Sequence, residues 1–462
     1  MKITKNFKEL LHFELIDYSN DKKIIFFCRS LKICLVKKYV ANLLGKVRKH
    51  INRHINEKEN EGREFKLLGS NLRSIQEEKD RKLKKIFLHI AHDCNLKCGY
   101  CYAQGGTYGR NVQMMNLHTA ERTIDFIIRK NSTIKEFVIE FFGGEPMLNY
   151  KMIDELVQKI VNKYTDINFK FGCVTNATII NDEIQNLFRK YDFHVMLTID
   201  GPKKYHDIQR RFADGTGSYD IVINNLPLFK ESVNQLSARI VYTRKNKELF
   251  YIYKYIFEVL GIIDISFRPV MTKDDEYRLD EEEQKYVAKD ICRIFDYYLE
   301  KKMCEEQIKT KLFDDILINL INRKTKESFC DFGRFLSVTP EGKIYPCTHF
   351  VYNEKYYMGS IYDESINQKL LSTCINSSIP QYSPCKECWV LGLCGGGCKG
   401  SASFYHHDNL FINDEFCETR KKLISHIISQ ITRIHIEGNL EKLKSVFLVN
   451  DTKCESTPNR WR

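Results

Sequence analysis

The chain has 462 residues, 43% of them hydrophobic, and a formal net charge of +12. This length exceeds one ordinary domain and allows a sizeable core. No run of about eighteen apolar residues exists and the first residues lack the apolar segment of a signal peptide, so we expect no membrane span and a cytoplasmic protein. Because cytoplasmic thiols stay reduced, the 17 cysteines indicate metal ligands rather than disulfides.

The first 80 residues predict a small basic α+β module. Alternating apolar residues predict strands at 8–19 and 22–36, and a helix follows at about 38–55. Residues 1–85 contain 22 Lys and Arg against 11 Asp and Glu, so +11 of the net +12 lies here. We expect an acidic peptide as partner, with nucleic acid as the weaker option. The alternative is a structural extension that covers one edge of the next domain.

Strand and helix patterns alternate between residues 85 and 275, which predicts an α/β fold with a parallel sheet wrapped by helices. We expect strands at 85–91, 136–142, 169–175, 193–199, 237–243 and 263–270, with helices at 118–130, 150–164, 181–190, 219–232 and 246–260. Six strand–helix steps are too few for a closed eight-stranded barrel, so a partial (β/α)6 TIM-type barrel fits. Functional residues should lie at the C-terminal ends of its strands.

Three cysteines follow the first barrel strand at a C-x3-C-x2-C spacing, namely Cys94, Cys98 and Cys101. Three thiolates on one tight loop cannot close a tetrahedral zinc site by themselves. They can ligate three irons of a [4Fe–4S] cluster and leave the fourth iron open for another ligand. Zinc, or three unrelated buried thiols, is the alternative interpretation of this motif.

Polar and glycine-rich motifs follow the later barrel strands. Gly143 and Gly144 precede Glu145 after the second strand, and a glycine pair at a strand end lets a ligand approach the backbone closely. The fourth strand ends at Thr198, and Arg210 lies twelve residues later. An arginine presents a planar fork that matches a carboxylate. Asn176 follows the third strand, and Val270 ends the sixth.

The C-terminal part contains seven further cysteines in a regular pattern. Two of them form a C-x11-G-x4-C motif, four form a C-x2-C-x5-C-x3-C block, and one follows later; they are Cys330, Cys347, Cys385, Cys388, Cys394, Cys398 and Cys417. The four-cysteine block alone could be a zinc knuckle. Residues 276–329 are charged and predict a helical bridge, and residues 421–462 predict a C-terminal helix and tail.

Together these motifs resemble the radical S-adenosylmethionine (SAM) enzymes that carry a C-terminal SPASM domain. The resemblance implies a radical SAM barrel at 85–275, a SPASM domain at 330–420 and a peptide-recognition-like module at 1–80. It further implies three [4Fe–4S] clusters, held by Cys94, Cys98 and Cys101 (SAM-binding), by Cys330, Cys347 and Cys398 (nearer auxiliary), and by Cys385, Cys388, Cys394 and Cys417 (outer auxiliary). Either Cys374 or a substrate sulfur would complete the nearer auxiliary cluster.

The same resemblance assigns the SAM contacts. The glycine pair and its acidic neighbour would bind the amino group of SAM, and a hydroxyl residue with an arginine would bind its carboxylate. An aromatic residue of the cluster loop and the end of the sixth strand would contact the adenine. The implied cofactor-binding residues are Tyr100, Gly143, Gly144, Glu145, Asn176, Thr198, Arg210 and Val270.

The resemblance implies cleavage of SAM to a 5′-deoxyadenosyl radical, with electrons from a reducing partner such as flavodoxin or ferredoxin. Anaerobic sulfatase-maturating (formylglycine-forming) enzymes carry an Asp directly after the second SPASM cysteine, whereas Thr348 follows Cys347 here. A threonine hydroxyl is a poor base near neutral pH. The basic N-terminal block and residues 98–108 also resemble the thioether-forming maturases of cysteine-rich peptides. This resemblance implies a maturase that forms thioether crosslinks in a ribosomally made, cysteine-rich precursor peptide with an acidic leader. The remaining alternative is a non-catalytic iron–sulfur protein for electron transfer or regulation.

Overall fold

The computed structural model describes residues 13–28, 30–59, 83–131, 133–326, 328–377, 385, 388–406 and 414–453. The strands are β1 (Phe13–Asp17), β2 (Lys22–Phe27), β3 (Lys32–Lys37), β4 (Lys85–His92), β5 (Gln113–Met114), β6 (Glu136–Gly143), β7 (Asn168–Thr175), β8 (His194–Thr198), β9 (Gln235–Tyr242), β10 (Asp264–Pro269), β11 (Leu336–Val338), β12 (Lys343–Tyr345) and β13 (Gly359–Ser360).

The helices begin with α1 (Lys38–Glu59), α2 (Leu117–Lys130), α3 (Tyr150–Lys163), α4 (Asp182–Tyr191), α5 (Lys203–His206), α6 (Tyr219–Ser232) and α7 (Leu249–Lys254). The later helices are α8 (Glu281–Met303), α9 (Lys311–Asn322), α10 (Gln368–Ser377), α11 (Leu391–Cys394), α12 (Lys399–Tyr405), α13 (Asp414–Ile436) and α14 (Leu440–Lys453). None of the described helices is long and apolar enough to cross a membrane.

Six parallel strands form the centre of the molecule, in the order β10-β9-β8-β7-β6-β4. Alternate apolar residues such as Ile86, Leu88 and Phe141 are fully buried beneath the helices. Asn116 and Asn181 cap α2 and α4 by accepting hydrogen bonds from backbone N–H groups. The predicted partial (β/α)6 barrel is therefore confirmed, and the observed strand bounds lie within about two residues of the predicted ones.

The sheet continues beyond the barrel into the cysteine-rich region, which the sequence did not indicate. Strand β11 pairs parallel with β4, with Leu336 opposite Ile86, and β12 and β13 then add in antiparallel fashion. An incomplete barrel leaves an edge strand whose backbone groups need partners, and β11 supplies them. This pairing fixes the C-terminal cysteines beside the first barrel strand.

The N-terminal module is a three-stranded antiparallel sheet, β1-β2-β3, with α1 after it. The predicted single strand at 22–36 is wrong, because the chain turns between β2 and β3 and Leu31 adopts a left-handed conformation with φ of 50°. Phe26 packs edge-on against Trp389, with ring centroids 6.1 Å apart, so this sheet contacts the cysteine-rich domain. The charged sequence between α1 and β4 lies mostly outside the described residues.

Candidate active site

The loop with Cys94, Cys98 and Cys101 follows β4 and is tied to the segment that carries Arg210. Lys97 N–H donates to the Arg211 carbonyl at 2.7 Å, and Gly99 N–H donates to the Gln209 carbonyl at 3.0 Å. These two backbone bonds hold the cysteine loop and the predicted SAM-binding arginine in a fixed relation.

The donor set of this loop fits an iron–sulfur cluster. Burial raises the pKa of the Cys94 thiol to about 12, with smaller contributions from Glu145, Cys98 and Cys101. Such a thiol becomes a thiolate only when it binds a cation. Among the described residues, no three His, Cys, Asp or Glu side chains converge as ligands of one metal ion. A cube does not need that convergence, because each thiolate binds a different iron.

Arg210 and Thr198 meet at the end of β8, as the sequence predicted. Arg210 Nη2 donates to Thr198 Oγ1 at 2.6 Å, and Nη1 donates to the Tyr100 hydroxyl at 2.6 Å. Arg210 is 6% exposed, and its buried Nε has no hydrogen-bond partner among the described residues. A buried N–H without a partner is costly, so this side chain suits an additional acceptor such as the carboxylate of SAM.

Asp200 is the residue of this site that the sequence reasoning missed. Its fully buried carboxylate accepts hydrogen bonds from the Tyr100 hydroxyl at 2.6 Å and from Val241 N–H at 2.9 Å. Burial raises the pKa of Asp200, and the Arg210 guanidinium, 3.9 Å away, lowers it. Tyr100 thus connects Asp200 to Arg210, while its expected contact with adenine remains a prediction. The only available signal was the position of Asp200 directly after a barrel strand.

The glycine pair after β6 lies against the chain that leads into the cysteine loop. A Cβ on Gly143 would lie 2.2 Å from the Ala91 carbonyl oxygen, and one on Gly144 would lie 2.0 Å from that of Asp93. Only glycine fits such an approach of two backbones. The contact brings the Gly-Gly motif next to the cluster loop, as an amino-group site of SAM requires.

Glu145 is fully buried, and its carboxylate is used within the protein. It accepts hydrogen bonds from Thr175 Oγ1 at 2.7 Å, from Asn176 N–H at 2.7 Å and from Met147 N–H at 3.0 Å. Burial raises the pKa of Glu145, and these hydrogen bonds oppose the increase. The residue therefore joins the ends of β6 and β7.

The remaining two predicted SAM contacts lie on opposite sides of the barrel mouth. The Asn176 amide nitrogen is 3.7 Å from Cys94 Sγ and donates to the Asn95 side chain at 2.9 Å, which places it beside the cluster loop. Val270 follows β10, and its carbonyl accepts a hydrogen bond from the Tyr405 hydroxyl at 3.2 Å. The contacts of both residues with SAM remain predictions.

Cys330, Cys347 and Cys398 form one set in the cysteine-rich domain. Burial raises the pKa of Cys347 to about 12, with a contribution from Cys398. Both of these thiols also raise the pKa of Cys330. Cys374 is also buried, but its pKa is raised by burial alone. The Cys347 and Cys398 thiols are thus close enough to act on Cys330, and no such contribution reaches Cys374.

The second set consists of four cysteines that line one small cavity with Arg420, namely Cys385, Cys388, Cys394 and Cys417. These are the four predicted ligands of the outer auxiliary cluster. Arg420 is 7% exposed and stacks over Phe416, 4.7 Å from the ring centroid. A buried guanidinium beside four thiolates compensates part of their negative charge. Both predicted groupings of cysteines agree with the structure, and the ligand assignments themselves remain predictions.

Comparisons with known proteins show which protein families and individual proteins this chain resembles. The radical SAM superfamily matches residues 88–248, and an iron–sulfur cluster-binding SPASM domain matches residues 330–389. A cysteine-type anaerobic sulfatase-maturating enzyme of Clostridium novyi is 26% identical over 77% of this chain and 97% of its own length. The radical SAM cyclopropyl synthase TigE of Paramaledivibacter caminithermalis is 23% identical over 76% of this chain and 75% of its own.

Solved structures share the fold. The sulfatase maturase anSMEcpe with bound AdoMet superposes with a TM-score of 0.65 at 22% identity, covering 76% of this chain and 98% of its own. Streptococcus suis SuiB bound to its precursor peptide SuiA superposes with a TM-score of 0.50 at 15% identity, covering 88% of this chain and 98% of its own.

Proposed function

We propose that this chain, an enzyme with a radical SAM domain followed by a SPASM domain, forms thioether crosslinks in a ribosomally made, cysteine-rich peptide. Its cofactors are SAM and [4Fe–4S] clusters, including auxiliary ones. When bound, these groups supply a hydrogen-abstracting 5′-deoxyadenosyl radical and an acceptor for the electron that the substrate loses. The chain's own residues position SAM, the clusters and the peptide.

The observation that carries this proposal is the three-cysteine set of Cys330, Cys347 and Cys398. Three thiolates leave one iron of a cube without a protein ligand, and in support of a substrate ligand, the pKa of Cys374 is raised by burial without a contribution from these thiols. A cysteine of the peptide could bind there as thiolate. That binding would hold the sulfur near the carbon from which hydrogen is removed, which is the arrangement that S–C bond formation needs.

The surroundings of Cys347 also favour the thioether reaction over formylglycine formation. Thr348 is buried. It directly follows Cys347, the position at which the sulfatase-maturating pattern has an aspartate. Burial and two neighbouring arginines lower the pKa of the adjacent His349 to about 4. Forming a thioether removes one hydrogen atom from carbon, one proton from the thiol and one electron from the substrate. A thiol already bound to iron has lost its proton, so this route depends less on a nearby carboxylate base.

Sulfatase maturation is the second candidate, because anaerobic sulfatase-maturating enzymes of both the cysteine and the serine type are among the similar proteins. The two reactions leave different products on the same peptide. A thioether lowers the peptide mass by two hydrogen atoms and removes one thiol that can be alkylated. Formylglycine from cysteine replaces the sulfur with a carbonyl that reacts with hydrazides.

The test incubates the reconstituted, anaerobic enzyme with SAM, reductant and the products of short cysteine-rich reading frames beside its gene, in parallel with a cysteine peptide from a sulfatase. We expect loss of two hydrogens and one thiol in a cysteine-rich peptide and no hydrazide-reactive product. A hydrazide-reactive sulfatase peptide, with the cysteine-rich peptides unchanged, would reverse the assignment.

A further inference from the structure

Two arginines lie on the last two barrel strands. Arg239 on β9 donates from Nε to Ser266 Oγ at 3.5 Å, and Arg268 lies on β10. None of the ion pairs among the described residues includes either guanidinium. The nearby carboxylate of Glu140 is already bound by Lys85 at 2.8 Å.

The positive charges of these arginines act on each other. Burial, followed by the neighbouring Arg268, lowers the pKa of Arg239 to about 10, so the Arg239 guanidinium remains charged at neutral pH. Arg239 is half-buried and Arg268 is exposed, so water screens only part of the repulsion between their charges. Neighbouring positive charges at the mouth of a barrel favour the binding of an anionic group.

The pair lies between the predicted SAM site and the nearer auxiliary set. Arg239 is the register partner of Thr198, which bonds Arg210. On the other side, both guanidinium groups lie within electrostatic reach of the His349 side chain, two residues after Cys347. The His349 ring lies 4.9 Å from that of Tyr102, the residue after Cys101. A substrate bound beside Thr198 would therefore lie next to Arg239.

We propose that Arg239 and Arg268 bind a carboxylate of the peptide substrate close to the modified residue, and so set which residues are presented for reaction. This inference rests on the proposed function. The carboxylate belongs either to an Asp or Glu side chain or to the C-terminus of the peptide. A guanidinium group binds either carboxylate through charge-assisted hydrogen bonds. Two guanidinium groups offer more hydrogen-bond donors than one neutral side chain can accept.

The test uses the complete holoenzyme with SAM and two pools of synthetic peptides. Each pool has one fixed cysteine and randomised flanking residues, and the pools end in a free carboxylate or in an amide. Bound peptides are sequenced for the intact enzyme and for Arg239→Gln, Arg268→Gln, Arg268→Lys and the surface control Arg189→Gln. The iron content of each variant checks its fold, and Arg268, which is exposed, provides a variant with little risk to folding.

For the intact enzyme we expect enrichment of Asp or Glu at a fixed distance from the cysteine, or of the free C-terminus, by about tenfold. Arg239→Gln and Arg268→Gln should abolish it, Arg268→Lys should retain part of it, and Arg189→Gln should leave it unchanged. Two results would overturn this inference and leave the proposed function intact. One is cysteine-dependent binding without a preference for carboxylates, and the other is an unchanged preference in both glutamine variants. Loss of iron from the glutamine variants with an unchanged preference for carboxylates would also overturn the inference, because the arginines would then stabilise a cluster. If no peptide binds while SAM is still cleaved, the proposed function fails as well.

Discussion

Arg210 donates hydrogen bonds to two neutral hydroxyl groups, whereas its buried Nε has no hydrogen-bond partner among the described residues. The sequence predicted that Arg210 and Thr198 meet, because both belong to one motif at a strand end. It did not predict that Tyr100 connects Arg210 to Asp200, since this contact joins residues 100 positions apart in the chain. The contact within one motif was thus predictable, and the contacts between motifs were not.

Replacing Arg210 with Ala should weaken SAM binding by roughly ten- to a hundredfold, since a charge-assisted contact contributes about 1.5–3 kcal/mol. The iron content should stay the same, because arginine binds no metal. Isothermal titration with SAM, under anaerobic conditions, measures the affinity. The exposed neighbour Arg211 offers the matched control Arg211→Ala. Equal SAM affinity in Arg210→Ala and the control would show that the motif around residues 198–219 has been assigned wrongly.

At the scale of single elements, the barrel strands were predictable because each is an apolar run between polar turns. Two features were not. The run at 22–36 contains no Gly or Pro where the chain turns at Leu31. The parallel pairing of β11 with β4 joins segments about 250 residues apart, and a three-residue strand carries no periodic signal of its own.

The contact between the ends of β4 and β6 gives a prediction for the glycine pair. Gly144→Ala should displace the loop that leads to the cluster cysteines, because its Cβ would lie 2.0 Å from the Asp93 carbonyl oxygen. We expect loss of SAM binding, measured by equilibrium dialysis, together with a changed electronic spectrum of the cluster. Gly45→Ala, whose Cβ would have only an ordinary contact at 3.6 Å, is the control. Normal SAM binding by Gly144→Ala would contradict the proposed packing.

Strand β10 begins with Asp264, and burial raises the pKa of this carboxyl to about 6. The folded state therefore holds its proton more tightly than the unfolded state, and stability falls as the pH rises from about 4 to 6. Asp264→Asn should remove this penalty and stabilise the protein above pH 6, by at most about 3 kcal/mol. Urea unfolding at pH 4.5 and pH 7.5 measures the effect. A variant that is equally destabilised at both pH values would contradict it.

At the scale of the whole molecule, the basic N-terminal sheet is joined to the cysteine-rich domain through Phe26 and Trp389. Deleting the first 80 residues would therefore expose a core contact. Charge reversal tests its predicted role with less disturbance, because Lys22, Lys37 and Lys38 are exposed.

Lys22→Glu/Lys37→Glu/Lys38→Glu should weaken binding of an acidic precursor on the order of tenfold at low salt and less at high salt, since exposed charges are screened. Fluorescence anisotropy with labelled precursor measures the affinity. The corresponding control reverses three exposed lysines of the barrel, Lys130, Lys151 and Lys204. If both triple variants bind the precursor as the intact protein does, the module is only a cover for the sheet edge.

The central claim is that the loop after β4 holds the cluster that cleaves SAM, separate from two auxiliary clusters. The most direct measurement is the iron content and the formation of 5′-deoxyadenosine from SAM and reductant, for the intact protein and for Cys94→Ala/Cys98→Ala/Cys101→Ala. The account predicts about twelve irons and SAM cleavage for the intact protein, and about eight irons and no cleavage for the triple variant. Continued formation of 5′-deoxyadenosine by the triple variant would contradict it.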